Sequence, residues 1–241
     1  MSLEPANPWQ ETSEDSYYVS ITDMLIGLLF LFIIMLMYFA LQLRTTTEQL
    51  VTAEQTRNAL LEKVAGYLRE NQVLAEVDYG AGVLRLPDQI LFEKGRDAPK
   101  AQGEAALKIL ADGLALHLPC YSFRAAAPRP DICTATHHHL DAIFIEGHTD
   151  SDPITPSARL RDNWDLSAAR ASTTYRILMR ARPDLAGFLS SDPGAGQERQ
   201  VFSVSGYADQ RPVATGDGEA SKEKNRRIDV RFVMAGPDKV P

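Results

Sequence analysis

Asp150 and Arg170 are the residues of this 241-residue chain whose types and setting best suit chemistry. They lie within a polar stretch, IEGHTDSDPITPSARLRDNWDLSAARA, that leaves a strand and enters a helix. His148, Thr149 and Asp150 fall just past the strand end, Asn163 and Asp165 at the helix start, and Arg170 one turn in. Backbone N–H groups at a helix start attract carboxylates. An arginine on the first turns adds a bidentate partner for the same group. An aspartate across the cleft accepts from an ammonium. Together these suit a zwitterionic, amino-acid-like ligand. The same residues also allow an internal Asp150–Arg170 ion pair that only ties loop to helix, and types and spacing leave both readings open.

Asp23 is the second such residue. It heads the run Met24–Leu41, MLIGLLFLFIIMLMYFAL, which carries no charge. A span needs about 20 apolar residues at about 1.5 Å each. A carboxylate in hydrocarbon is costly, so Asp23 is either an interface residue or a working one. Tyr17 and Tyr18 stand where an aromatic belt would anchor the span, so a helix start near Tyr17 is expected.

The segment before the run has no Lys or Arg, and no A-x-A cleavage site follows it, so it reads as an uncleaved single span and not a secretory signal. Arg44, Arg57, Lys63 and Arg69 follow it, which by charge bias places the C-terminal bulk in the cytoplasm. Cys120 and Cys133 point the other way. A lone pair in one Pro-rich insertion suits a loop-closing disulfide in an oxidising compartment, although two unrelated thiols fit the composition too. The formal net charge of −7 and the lack of a basic stripe argue against a nucleic-acid partner. His137, His138 and His139 are adjacent, unlike zinc ligands, which come from spaced positions. They read as a solvated loop, and no metal is expected. No phosphate-binding glycine loop and no nucleophile–base pair marks an enzyme.

The elements that must position these residues follow from patterning. Residues 1–16 read as a polar tail, 17–43 as the span and 44–76 as a helical linker. Leu43, Leu50, Ala53, Leu60, Val64, Tyr67 and Leu74 make a loose heptad, consistent with self-pairing or with a helix lying on its own domain. Beyond Val77, a strand or hairpin is expected at 77–86, strands at 142–147, 201–207 and 226–234, and helices at 99–117 and 165–181. The second helix should bury Leu166, Ala169, Thr173 and Ile177. The last strand should bury Ile228, Val230, Phe232 and Met234. Such alternation gives an α/β or α+β sandwich. The folded domain is placed at 77–235, with a tail at 236–241.

Asn163, Leu166, Ser167, Arg170 and Ala171, spaced N-x-x-L-S-x-x-R-A, resemble the peptidoglycan-binding signature of the OmpA-like C-terminal domain family. The blocks ILFEKG (90–95), IEGHTD (145–150), SGYAD with Arg211-Pro212 (205–212) and NRRIDV (225–230) resemble further blocks of that family, in its order. The resemblance covers about residues 77–235. It implies an α+β fold, a βαβαββ sandwich of helices on a mixed sheet. It also implies that Arg170 holds the carboxylate and Asp150 the ammonium of the diaminopimelate in the peptide stem, with Asn163, Thr149 and Arg227 lining the same groove. The chain departs from the family where DPITPSARLRD lengthens the Asp150–Arg170 spacing and where 118–138 is extended.

A peptidoglycan-binding domain lies outside the inner membrane. The resemblance therefore places the N-terminus in the cytoplasm and the domain in the periplasm, and it favours the Cys120–Cys133 disulfide. Short tail, span headed by an acid, linker and OmpA-like domain together resemble flagellar stator B subunits. SYYVSITDMLIGLLFLF and the cysteine-bearing domain resemble B subunits of Zorya anti-phage membrane systems more than the flagellar ones. That likeness implies a homodimer of this chain inside a polytopic A-type (ZorA-like) partner, five copies around two, with Asp23 carrying H+ (Na+ as the alternative). It implies no cofactor. A flagellar-type stator, or a passive OmpA- or Pal-like wall tether in which Asp23 is only an interface residue, are the alternatives.

Overall fold

The computed structural model describes residues 8–124, 133, 138–157, 159–190 and 199–235. His137, the far tails and most of the cysteine-bearing insertion lie outside them. The chain divides into two compact units, Met1–Leu50 and Val51–Pro241.

Helix α1 spans Pro8–Glu70. It begins well before Tyr17, because a proline is tolerated at a first helical position and no Pro or Gly interrupts the sequence until Gly27. In the first unit every side chain from Tyr17 to Leu50 is exposed, including the whole apolar run. By length and composition this helix can cross a membrane. Asp23 lies within it, beside Thr22, whose Oγ1 donates to the Tyr18 carbonyl at 2.7 Å.

The second unit starts inside α1, before the expected domain boundary at 77. Leu60, Leu61, Val64, Ala65 and Leu68 are buried in the same core as the sheet. Of the two readings of the heptad, this stretch takes the second: the helix lies on its own domain. Tyr67 sets its ring edge-on to His117, with centroids 6.5 Å apart, and Arg57 Nη2 donates to the Tyr79 carbonyl at 2.7 Å.

The rest is β1 (Glu76–Asp78), β2 (Val83–Pro87), α2 (Asp88–Leu91), α3 (Ala101–His117), β3 (Phe123–Arg124), β4 (Leu140–His148), α4 (Asn163–Ala181), β5 (Phe188–Leu189), β6 (Phe202–Gly206), α5 (Glu219–Asn225) and β7 (Arg227–Met234). The main sheet has the order β1-β2-β7-β4-β6, and β3 pairs with β5 apart from it. β4 and β6 are parallel, joined through α4, while β7 inserts antiparallel between β2 and β4. Without the edge strand, the order β2-α3-β4-α4-β6-β7 is the expected βαβαββ arrangement.

One sheet face is apolar. Leu84, Leu86, Ile143, Ile145, Ile228, Val230 and Phe232 are buried in the core, with Met234 packed at its margin. On α4 the buried stripe is Leu166, Ser167, Arg170, Ala171, Thr174, Ile177 and Leu178. Ala169 and Thr173 are only half-buried, a shift from expectation that arises because Ser167, Arg170 and Thr174 are polar and go uncounted in a hydrophobic pattern.

The opposite sheet face is buried and charged. Glu146 and Asp229 are cross-strand partners, and both are buried. Arg231 grips both oxygens of Glu146 at 2.8 Å, while Arg85 and Arg227 reach the two oxygens of Asp229 at 3.2 and 3.0 Å. His148 is buried beside them and stacks on Tyr207, with ring centroids 5.4 Å apart. Burial pushes the Glu146 carboxyl up, but His148 and Arg231 outweigh it and hold the group at about 2. A carboxyl held low stabilises the fold above its ordinary value and loses that contribution as pH falls through its folded value.

Two outcomes follow from this packing. Leu60→Ala should cost about 2–5 kcal/mol in urea titrations of the detergent-solubilised chain, against about zero for the exposed Leu50→Ala. Between pH 4.5 and about 2, wild type should lose more stability than Glu146→Gln does, measured by acid titration of the circular dichroism signal.

Candidate functional site

The site forms where β4 and β6 end beneath the first turns of α4. Gly147 and Gly206 are register partners at these strand ends. A Cβ on Gly147 would stand 2.0 Å from the Ser167 carbonyl oxygen, and one on Gly206 2.6 Å from the Ala168 nitrogen. Only glycine lets α4 settle so close, since the obstructing atoms are backbone. Ser167 fastens the contact. Its Oγ donates to the Trp164 carbonyl and accepts the Ala208 N–H at 3.0 Å, while the Ala208 carbonyl accepts from the Thr149 N–H at 2.9 Å.

Asp162 caps the helix, its side chain accepting the Asp165 N–H at 3.0 Å. Asn163 Nδ2 donates to the carbonyls of Asp150 and Asp152 at 3.2 and 3.0 Å. That clasp draws the β4–α4 loop back against the helix start, so the long loop does not separate Asp150 from Arg170. Thr149, Asp150, Asn163 and Arg170 line one cavity of about 280 Å³. Pro153, Ile154 and Thr155 of the lengthened loop form part of its wall, with Lys94 and Arg226 completing its charged lining.

Neither predicted ligand residue waits unpaired, and they do not pair with each other. Asp150 Oδ2 accepts from Arg226 Nη1 at 2.5 Å, and its Oδ1 accepts the Asp152 N–H. Arg170 is 1 % exposed. Its Nε donates to the Arg96 carbonyl at 2.8 Å, Nη2 to the Glu93 carbonyl at 3.0 Å, and Nη1 lies 3.0 Å from Asp88 Oδ2. The guanidinium carbon sits 5.3 Å from the centroid of the Phe92 ring. Burial pulls the Arg170 charge down, while Asp88 and Asp150 support it. Asp88 is buried and pushed up to about 6, because the cost of desolvation exceeds the help of Arg170, Arg226 and Lys100.

Arg227, expected in this groove, is elsewhere. Arg227 opens β7 and points with Asp229 into the charged sheet face, while Arg226, the residue before the strand, lines the groove. Arg227 lines a second cavity of about 460 Å³, with Glu76, Arg85, Gln89 and Lys224, and Arg226 borders that cavity as well. Asp88, Arg226, Lys94 and Asp152 were missed by sequence reasoning. The adjacent arginines of NRRIDV and the acid between Pro87 and ILF were the available signals.

Glu146, His148 and Asp229 converge closely enough to hold an ion. Both carboxylates are already neutralised by Arg85, Arg227 and Arg231, a setting that disfavours a further cation. Cys120 and Cys133 are joined in a disulfide. His138 Nε2 lies 2.8 Å from Thr52 Oγ1, and Asp141 pairs with Arg199 at 2.9 Å.

Residues 131–226 match the OmpA family model, a span that holds β4, α4, β6 and α5. The chain is also similar to Motility protein B of Bacillus subtilis (strain 168), 34% identical over 94 residues that are 39% of this chain and 31% of that protein. An uncharacterized protein, YtxE, from the same organism is 28% identical over 181 residues, 73% of this chain and 60% of that one. Motility protein B of Helicobacter pylori (strain J99) is 24% identical over 163 residues, 68% and 50% of the two chains. The chain thus spans about a third to three-fifths of the length of these relatives. The fold is shared with a crystal structure described as a putative MotB like protein from Desulfovibrio vulgaris, at 20% identity, TM-score 0.51, covering 78% of this chain and 96% of that one.

Because the obstruction at the strand ends is backbone, Gly147→Ala should cost about 3 kcal/mol or more and displace the first turns of α4. Urea titration would read the first effect. Loss of protection of the Asp165 and Leu166 amides in hydrogen exchange would read the second.

Proposed function

We propose that this chain is a peptidoglycan-anchored, stator-type subunit of an inner-membrane, ion-driven complex. One observation carries the reading: a groove that gathers Asp150, Asn163 and Arg170 occurs in the same chain as a helix whose uncharged apolar run is headed by Asp23. The likeness to the motility proteins B supports it. In this reading the groove binds the zwitterionic end of a peptide stem. Arg170 attracts its carboxylate and Asp150 its ammonium, after exchanging the Asp150–Arg226 contact. Asn163 and Thr149 hold the loop that carries Asp150.

The N-terminus is assigned to the cytoplasm and the domain to the periplasm, where the disulfide is at home. Asp23 is the ion carrier. A carboxyl shielded by partner helices cycles between neutral and charged forms, which suits H+, with Na+ the alternative. The partner is a polytopic A-type subunit, five copies around two of this chain. The resemblance to Zorya B subunits supports a place for this work in anti-phage defence. The names of the curated relatives favour a second reading, a flagellar-type stator.

Asp23→Asn keeps shape and removes the titratable group. It should abolish ion-driven activity and leave assembly with the partner intact. Full activity in that variant, with activity lost in Arg170→Ala, would point to a passive tether. Co-sedimentation of the detergent-solubilised chain with purified sacculi tests the groove. Asp150→Ala and Arg170→Ala should each weaken binding by about tenfold or more, the loss expected when one partner of a buried charged contact goes. Equal pelleting of wild type and both variants would contradict the site.

A further inference from the structure

Asp88 is a buried acid on α2 with no part in the groove as described so far. It is 3 % exposed, its Oδ2 lies 3.0 Å from Arg170 Nη1, and its Oδ1 is buried without a hydrogen-bond partner. Arg170 is the reciprocal case. It lines the groove, and it already spends Nε and one Nη2 proton on the Arg96 and Glu93 carbonyls. Its guanidinium has five N–H groups but one positive charge. An anion entering the groove therefore shares that charge with Asp88.

We infer that Asp88 is the resident counter-ion of Arg170, and that a ligand carboxylate binds the groove together with a proton taken up by Asp88. This rests on the groove being the peptide-stem site. Two carboxylates on one buried guanidinium repel each other, and the one inside the protein, with an orphan oxygen, is the one that gains by becoming neutral. The surroundings favour it. The charged groups facing Asp88 are Arg170 from α4, Arg226 ahead of β7, Lys100 ahead of α3 and Asp150 after β4. Arg226 keeps its pairing with Glu219 at 2.7 Å when the ligand ammonium takes Asp150, so it does not substitute for Arg170 at Asp88. Burial already pushes Asp88 up to about 6, so the proton is available near neutral pH. The consequence is a wall contact whose strength follows the acidity around the domain, with Asp88 as a positioning residue acting through Arg170.

The test measures binding of the detergent-solubilised full chain to purified sacculi between about pH 5 and about pH 8. Wild-type affinity should fall as pH rises, approaching about tenfold per unit once Asp88 is ionised in the free protein. Asp88→Asn should flatten this profile and bind about tenfold or more tighter than wild type at the alkaline end, while Asp88→Glu restores the slope. A profile for Asp88→Asn parallel to wild type overturns the inference, as does loss of binding at every pH with an unchanged circular dichroism spectrum. Wild type also answers alone: calorimetry in two buffers of different ionisation enthalpy should register proton uptake on binding, and none would overturn the inference. If Arg170→Ala binds as wild type does, the groove reading fails, and this inference with it. A flat Asp88→Asn comparison with Arg170 still required fails this inference only.

Discussion

One buried guanidinium ties the site end of this domain together. Arg170 crosses from α4 to the backbone at Glu93 and Arg96, to Asp88 on α2, and to the face of Phe92. The loop that follows α2 is also tied to the β4–α4 loop, where Asp97 pairs with Arg159 and Lys94 lies 3.9 Å from Asp152. A buried arginine is costly unless its hydrogen bonds and its charge are met, and removing one partner of such a pair costs about 3–5 kcal/mol. The groove therefore inherits its shape from the charge that the proposed function makes its receptor. In that proposal, stability and ligand capture draw on the same side chain. Replacing Arg170 consequently affects both, and binding has to be read beside a stability measurement.

The rest of the site follows from that constraint and from close backbone packing. The glycines at the ends of β4 and β6 let α4 sit low enough for Arg170 to reach the Glu93–Arg96 loop. The Asn163 clasp folds the lengthened loop back onto the helix, so added residues become groove wall. On the far face of the sheet, Arg85, Arg227 and Arg231 satisfy the carboxylates of Glu146 and Asp229. The domain thus has an apolar side built by α1, α3 and α4, and a charged side whose arginines and carboxylates come from strands, with Tyr207 stacked on His148 beside them.

Much of the fold was legible because its signals are local. The alternation of Ile228, Val230, Phe232 and Met234 identified β7, and the strand before His148 and the helix through Arg170 stood where patterning put them. The end of α1 was ambiguous, since a helix stripe does not say whether it meets a copy of itself or its own sheet. Leu60, Leu61 and Leu68 are buried by residues distant in sequence. The groove was half legible. Asn163 and Arg170 were found through a spaced signature and Asp150 through the block at the strand end, and the three do share a cavity. Their partners were not, because Asp88 and Arg226 reach the site only through tertiary contacts. Adjacent arginines look alike in sequence, and only the fold shows Arg227 pairing with Asp229 in the charged sheet face while Arg226 reaches Asp150.

The account turns on Arg170 as the group that meets the ligand. The most direct measurement is the Nε–H resonance of Arg170 in the detergent-solubilised chain, followed by NMR as a soluble peptidoglycan fragment bearing the peptide stem is added. The account predicts a saturable shift at Arg170, accompanied by the amides of Asp150 and Asp152. A shift confined to the second cavity, at Arg227 and Lys224, with Arg170 unmoved, would contradict it.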